Sequence, residues 1–313
     1  MEPITSAAMI VDAARRLSEK KRKRVAVAAA NDPAVIGAVT EAEKLGICDA
    51  ILFGSQEKIK EVAQAESVDI SALEIRHCSD PAEAAYQAVK AADSGEADVI
   101  MKGFIGTSAL LKTVLSRKFN LRGKNTMSHI AVLDIPGYHK LLGITDGGMV
   151  VKPDFETKLQ LIDNAKLVFN ALGFDKPKVA LSGAIDYVHE NVPSTLLNKR
   201  IMDHYEAGKI EGCEVFGPIT LEAATSRELA SQRGIENPVA GDADVLVTAS
   251  IEECNIVSKV LILFVKAIFA GVIVGAGVPV SLVSRTDTVE NKKASLSIAC
   301  LVSEYLSGKG GIS

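Results

Sequence analysis

Apolar strand-like runs alternate with helix-patterned segments along nearly all of this 313-residue chain, and that alternation most narrows what it can fold into. In the first third, residues 25–30, 50–54, 73–77 and 97–101 read as strands. Helical spacing covers 33–45, a stretch from about 57, 81–93 and 109–115. Asp80-Pro81 is a capping residue followed by proline at the first helical position, and Thr107-Ser108 offers a cap for the helix after it. Two strand-like runs, 130–135 and 140–145, then follow each other through Pro136-Gly137 with no helix between. Alternation resumes with helices at 154–172, 194–207, 221–232 and 288–306, and strands at 179–182, 214–217 and 244–248. Regular alternation predicts an α/β fold with a mostly parallel sheet and helices on both faces. Right-handed crossovers bring the strand ends to one edge. The break near 130–145 marks the expected domain boundary.

Residues 260–283 are almost wholly apolar and superficially suggest a membrane span. Lys266 interrupts them, and Gly271, Gly275, Gly277 and Pro279 break them. They read instead as a buried helix and two strands, 270–274 and 279–283, each too short to cross a bilayer.

Composition excludes several function classes. A net charge of −4, 4% aromatics and no Trp argue against a nucleic-acid binder that stacks bases. The basic run at 20–24, KKRKR, is a solvated helix end or a phosphate or RNA contact. Cys48, Cys78, Cys213, Cys254 and Cys300 are odd in number and never form a CxxC pair. That pattern fits a reducing, cytoplasmic setting without disulfides or structural zinc. No signal peptide is visible.

Six polar clusters follow or flank predicted strands, where open α/β sheets bind ligands. Lys102-Gly103 with Thr107 and Ser108 combines charge, close backbone approach and hydroxyls, but lacks Walker A spacing. Ser128-His129 precedes a strand. Thr145-Asp146-Gly147-Gly148 is a turn after one. Gly217-Pro218-Ile219-Thr220 leads into a helix. Asn255 and Lys259, four apart, share a helical face amid apolar neighbours. Ser284, Arg285, Asp287 and Glu290 cluster where an apolar strand turns into the last helix. There an arginine suits phosphate or a developing oxyanion. Each has a bland reading as a turn, a cap or an ion pair; Asp287 or Thr288 can simply cap the helix. No GxGxxG follows the first strand, no HExxH, GxSxG or EF-hand loop is present, and no carboxylate cluster suits Mg²⁺.

Taken together, MKGFIGTSALLKTVL (101–115), SHIAVLDIPGYHKLLGITDGG (128–148), GPITLEAA (217–224), ADVLVTASIEECNIVSK (243–259) and SRTDTVENK (284–292) resemble the phosphate acetyl/butyryltransferase family, and its butyryl branch more closely. The resemblance implies a two-domain, three-layer α/β sandwich like that of the isocitrate and isopropylmalate dehydrogenases. Residues 1–131 and 278–313 would form the first domain and 132–277 the second, with the active site in the cleft between them. It implies a homodimer, acyl-CoA and inorganic phosphate as substrates, no cofactor and no metal, and no nucleic-acid or membrane partner.

The implied reaction gives acyl phosphate and CoA from acyl-CoA and phosphate. In the reverse direction the thiol, with a pKa of about 8.5, needs a base as it attacks the acyl phosphate. The resemblance maps the family's catalytic arginine and preceding serine onto Arg285 and Ser284, and its base onto Glu290 or Asp287, with Glu290 preferred. Lys102, Gly103, Thr107 and Ser128 would cradle phosphate. His129, Thr145, Asp146, Gly217, Pro218, Asn255 and Lys259 would complete the phosphate and CoA contacts. The chain departs from the family pattern at Cys254 (usually glycine), Ser258 (usually tyrosine) and Glu222 (commonly aspartate). Two other readings are a non-catalytic homologue that binds CoA or acyl phosphate, and a metal-dependent dehydrogenase on the same fold.

Overall fold

The structure is a computed structural model that describes residues 2–284 and 287–308. Along the chain it runs α1 (Ala7–Ser18), β1 (Lys23–Ala28), α2 (Pro33–Lys44), β2 (Cys48–Gly54), α3 (Gln56–Ala65), β3 (Glu74–His77), α4 (Pro81–Asp93), β4 (Val99–Lys102) and α5 (Thr107–Val114). There follow β5 (Ser128–Asp134), β6 (Leu141–Thr145), α6 (Phe155–Ala171), β7 (Lys178–Ser182), α7 (Pro193–Glu206), β8 (Glu214–Ile219), α8 (Leu221–Thr225), α9 (Arg227–Gln232), β9 (Val245–Val247) and α10 (Ile251–Phe264). The last elements are β10 (Ile268–Val274), β11 (Val280–Ser281) and α11 (Val289–Gly308). The expected α/β alternation is present.

Contacts divide the chain into two compact units, Met1–Ser6 with Ser128–Ile268, and Ala7–Met127 with Phe269–Ser313. Both divisions come earlier in sequence than the expected 131/132 and 277/278. In the second of these units the strand order is β3-β2-β1-β4-β11-β10. Pairing is parallel except between β10 and β11. β1, with Val25 to Ala28 fully buried, is flanked by β2 and β4, and α4 packs on it. In the other unit the order is β5-β6-β9-β7-β8, with only β5 and β6 antiparallel. That antiparallel pair is the physical content of the break in alternation, since Pro136-Gly137 returns the chain without a crossover helix.

Helices start where polar side chains satisfy the first free N–H groups. Asp32, Asp80, Asp154 and Ser250 accept from the backbones of Val35, Ala82 and Glu83, Thr157 and Glu253. The expected cap at Thr107-Ser108 is not made. Gly106 stands at the cap position, and both hydroxyl residues lie in the first turn of α5. The single helix expected at 221–232 is two. Ser226 ends α8 in an extended conformation and caps α9 through Leu229 N. α10 is not the buried helix that its composition suggests. Cys254 and Ser258 are buried, whereas Ile256, Val260, Leu263 and Phe264 are exposed.

The last three residues of the basic run at 20–24 pair within the fold, while Lys20 and Lys21 are exposed. Lys23 enters β1 with 1% exposure, its ammonium 2.8 Å from Glu304. Arg22 and Arg24 pair with Asp49 and Glu74, each at 3.0 Å. A second ion-pair cluster lies where β6, β7 and β9 begin. Asp242 receives Lys140, Lys178, Arg227 and His139, which hold its carboxyl well below the usual range despite partial burial. No described helix is long and apolar enough to cross a membrane.

Gly143 shows how tightly the sheet and α6 pack. A Cβ there would lie 2.5 Å from Phe169 Cε2, a ring that is itself fully buried. Gly143→Ala is therefore expected to cost about 1–3 kcal/mol through overpacking, read as a lower denaturation midpoint with an unchanged slope.

Candidate functional site

Each unit gathers polar side chains at its own strand ends. In the unit built from β1 to β4, β10 and β11, parallel pairing of β11 with β4 aligns Ser281 with Met101. Lys102 and Ser284 therefore leave the same edge of the sheet. Lys102 is buried, and its ammonium donates to the carbonyls of Gly103 (3.3 Å) and Ile105 (3.2 Å). The Gly103 N–H is spent, donating to Ala28 O at 2.9 Å, so it is not the phosphate donor expected from the sequence. Glycine is needed there for packing, because a Cβ would lie 2.2 Å from Ala29 O. Thr107, at the start of α5, is half-buried, and Ser108 beside it is exposed.

The turn into α11 separates the two candidate carboxylates. Asp287 is buried, and its Oδ2 accepts from Ser284 N at 2.6 Å. Lys292 Nζ donates to Ser284 O at 2.8 Å, while Thr288 Oγ1 caps α11 at Asn291 N. Burial lowers the Lys292 pKa, opposed by the charges of Asp32 and Asp287. Asp287 and Lys292 thus clamp both backbone groups of Ser284. Glu290, by contrast, is exposed on the first turn of α11. Arg285 lies outside the described residues.

In the other unit, antiparallel register sets Ile130 opposite Thr145, which brings Ser128-His129 beside Thr145-Asp146. Asp146 is the hub. Its carboxylate accepts from the backbones of His129 (3.0 Å), Gly148 (2.6 Å) and Met149 (2.8 Å). Burial raises its pKa, and these N–H donors oppose that rise. The side chain therefore pins a turn rather than waiting for a proton. α10 closes on the same turn: Asn255 Nδ2 donates to Gly147 O at 3.2 Å, and a Cβ on Gly147 would meet Cys254 Sγ at 2.9 Å. Lys259, one helical turn beyond Asn255, is close enough to act on the His129 ring. Burial, then that charge, lowers His129 to about 4, so it is neutral near pH 7.

Other residues singled out in the sequence have internal roles. Ser128 is fully buried, and its Oγ accepts from Asn164 at 2.8 Å. Thr145 is fully buried, and its carbonyl accepts from both Thr248 N and Thr248 Oγ1. Gly217-Pro218 does not form a ligand turn. It lies inside β8 at a register shift against β7, where a Cβ on Gly217 would meet Leu181 Cβ at 2.6 Å. Among the departures, Cys254 and Ser258 sit one turn apart on the buried face of α10, and burial pushes the Cys254 thiol up to about 12. Glu222 pairs with Arg233 at 2.5 Å.

Sequence reasoning missed a pocket of about 410 Å³ in this unit, lined by Ser182, Thr220, Leu221, Thr248, Glu253 and Val257 among others. Glu253 accepts from Ser182 Oγ (2.6 Å) and Ala249 N (2.9 Å). Behind it Lys158, fully buried, donates to Asn198 Oδ1 at 2.7 Å, and burial lowers its pKa to about 8 against the pull of Glu253. The available signal was a lysine on the same helical face as Leu161, Ile162 and Ala165. Among the described residues no group of three or more His, Cys, Asp or Glu is placed to hold a metal ion.

Comparison with known proteins places these turns in a family context. The family described as phosphate acetyl/butaryl transferase matches residues 80–300. A phosphate butyryltransferase of Clostridium beijerinckii is 39% identical over 287 residues, 92% of this chain and 95% of that one. A phosphate acetyltransferase of Thermotoga maritima is 38% identical over 293 residues, 94% of this chain and 99% of that one. Among solved structures, a branched-chain phosphotransacylase from Enterococcus faecalis V583 superposes with a TM-score of 0.80 at 33% identity, covering 90% of this chain and 99% of that one.

The buried neutral imidazole has a measurable consequence. His129 takes up a proton near pH 6.5 when unfolded but only near 4 when folded. Its contribution to stability is present above pH 6.5 and is lost as pH falls towards 4. In His129→Gln the backbone donor to Asp146 remains. The drop in unfolding free energy between pH 6.5 and 4 should then be smaller than in the parent by roughly 2–3 kcal/mol. Denaturant titrations at the two pH values measure it, and equal drops would remove His129 as the cause.

Proposed function

Because this chain belongs to the phosphate acetyl/butaryl transferase family, we propose that it moves a short-chain acyl group, such as butyryl, a branched acyl or acetyl, between coenzyme A and inorganic phosphate. The observation that carries this reading is that the family match, residues 80–300, takes in every strand-end turn described above, from Lys102 to Glu290. Relatives named for both butyryl and acetyl transfer match over similar lengths, so the acyl group is left to experiment. One methylene changes discrimination by only about 1–3 kcal/mol.

In the thiol-attack direction, the CoA sulfur must lose a proton as it adds to the acyl carbonyl, and both the carbonyl oxygen and the departing phosphate gain negative charge. Arg285 is the group we assign to that charge, and Ser284 orients the attacking thiol or donates to phosphate. Asp287 is committed to the Ser284 backbone, which supports Glu290 as the general base. Lys102 and Thr107 supply charge and a hydroxyl for phosphate. Asn255 and Lys259, on the helix braced against the Asp146 turn, supply a polar face for CoA or phosphate. Coenzyme A acts as a substrate, with no bound cofactor or metal, and no nucleic-acid or membrane partner takes part. Five free, buried cysteines support a reducing, cytoplasmic setting, and we take the working form to be a homodimer.

A thiol-release assay with phosphate and acetyl-, propionyl-, butyryl- and isobutyryl-CoA is expected to give turnover with at least one of them; silence with all four would favour a non-catalytic CoA-binding homologue. Arg285→Ala should lower kcat by about 100-fold or more with the fold intact. The carboxylates are expected to part company: Glu290→Gln loses kcat and flattens the acid limb of the pH profile, whereas Asp287→Asn mainly lowers Tm. The reverse pattern would make Asp287 the base.

A further inference from the structure

The pocket of about 410 Å³ has no part in the roles assigned so far. Its size is that of a small-molecule site, and it opens at the carboxyl ends of parallel strands, where such sheets bind ligands. Part of its wall is aliphatic, with Ile144 and Leu246 from the sheet, Leu221 from α8 and Val257 from α10. The polar part has most of its protons already committed. Ser182 Oγ donates to Glu253 at 2.6 Å, and the Thr248 hydroxyl points at the carbonyls of Thr145 and Ser250, each 3.1 Å away. The N–H groups of Gly183, Thr220 and Ala249 are spent on Ile219 O, Asp186 and Glu253. No Lys, Arg or His is among the described residues that line the pocket. Such a wall offers acceptors, and it disfavours phosphate and carboxylate groups.

Glu253 is the strongest acceptor on this wall. A carboxylate offers about four lone-pair sites, and here each oxygen takes one protein donor. It is also held from behind. Lys158, fully buried, donates to Asn198 Oδ1, and Asn198 Nδ2 donates to the carbonyls of Leu181 (3.2 Å) and Ser182 (2.9 Å). The buried ammonium favours an ionised Glu253, and the asparagine fixes the serine that bonds it. A network satisfied in this way presents its remaining lone pairs in a set direction. We propose that the pocket binds the uncharged, hydrogen-bond-donating part of an acyl-CoA, an O–H or N–H on an aliphatic body, with Glu253 as its acceptor and Leu221 and Val257 as the walls that limit its size. Two parts of such a molecule have that chemistry: a hydroxyl on the acyl chain, and an amide of the pantetheine arm. The ligand named here rests on the acyltransfer reading; the preference for an uncharged donor rests on the pocket. Two residues beyond Glu253, Asn255 bonds Gly147 O, so the pocket shares the start of α10 with the polar face assigned to CoA or phosphate.

The test compares butyryl-CoA with β-hydroxybutyryl-CoA on the full chain, by calorimetric binding and by thiol release with phosphate. Glu253→Gln keeps the size of the side chain and removes its charge. It should weaken binding by about 10- to 100-fold, the worth of a hydrogen bond to a charged group. Loss for both thioesters alike assigns the donor to the pantetheine amide, and loss for the hydroxyacyl thioester alone assigns it to the acyl chain. Leu221→Trp narrows the pocket from the opposite side without touching the Lys158–Asn198–Ser182–Glu253 network, and should weaken binding of the same thioesters by about 10-fold or more. It keeps the test decisive if Glu253→Gln fails to fold. Unchanged affinity in Leu221→Trp would overturn the pocket as the site, and unchanged affinity in a folded Glu253→Gln would overturn its role as acceptor. Binding needs no turnover, so thioesters that bind in a Glu253-dependent way yet release no thiol would count against the acyltransfer reading and leave the pocket standing.

Discussion

A buried carboxylate organises one unit of this molecule. Asp146 gathers three backbone N–H groups from two different segments, the start of β5 and the turn after β6. Leaving such a carboxylate without donors would cost several kcal/mol, so the turn has one satisfactory arrangement. That arrangement presents Gly147 to α10, where Asn255 bonds its carbonyl and Cys254 leaves no room for a side chain. The positions of Lys259 and of the neutral His129 ring follow from it. A polar residue that looked reactive in sequence is instead the fastening that aims its neighbours.

The other unit shows the same division of labour. Asp287 and Lys292 hold the two backbone groups of Ser284, and Lys102 holds two carbonyls of its own loop. Polar residues at strand ends are costly to bury, and each of these offsets that cost through bonds to the backbone. Glu290, exposed on the first turn of α11, and Thr107, half-buried on the first turn of α5, stand beside these fastenings. Such internal fastening keeps a site rigid before substrate arrives, which lowers the reorganisation required during reaction.

Legibility in the sequence followed the range of the interaction. Strands and helices were readable because periodicity and capping are local: Asp32, Asp80 and Asp154 each cap the helix that follows them. The errors came where a distant segment decided the outcome. α10 is apolar on two faces, and only the fold determines that Cys254 and Ser258 point inward while Ile256 and Phe264 point out. Gly217-Pro218 has the composition of a turn, yet its closeness to Leu181 makes it part of β8. Lys23 belonged to a basic run but is buried against Glu304, some 280 residues away in sequence.

The sequence by itself determined the α/β class, the order of the strand-end polar turns and, through motifs kept in that order, the family. These depend on residues near one another in the chain or on their sequence spacing. Tertiary structure decided which of those polar residues are fastenings. Ser128, Thr145, Asp146, Asp287 and the Gly103 N–H are bound to partners that register and packing supply. The pocket lined by Glu253 likewise exists only because the ends of β7, β8 and β9 meet the starts of α8 and α10. A hydrogen-bonding group is available to a ligand only if no nearer partner takes it, and the identity of that partner is a property of the folded chain.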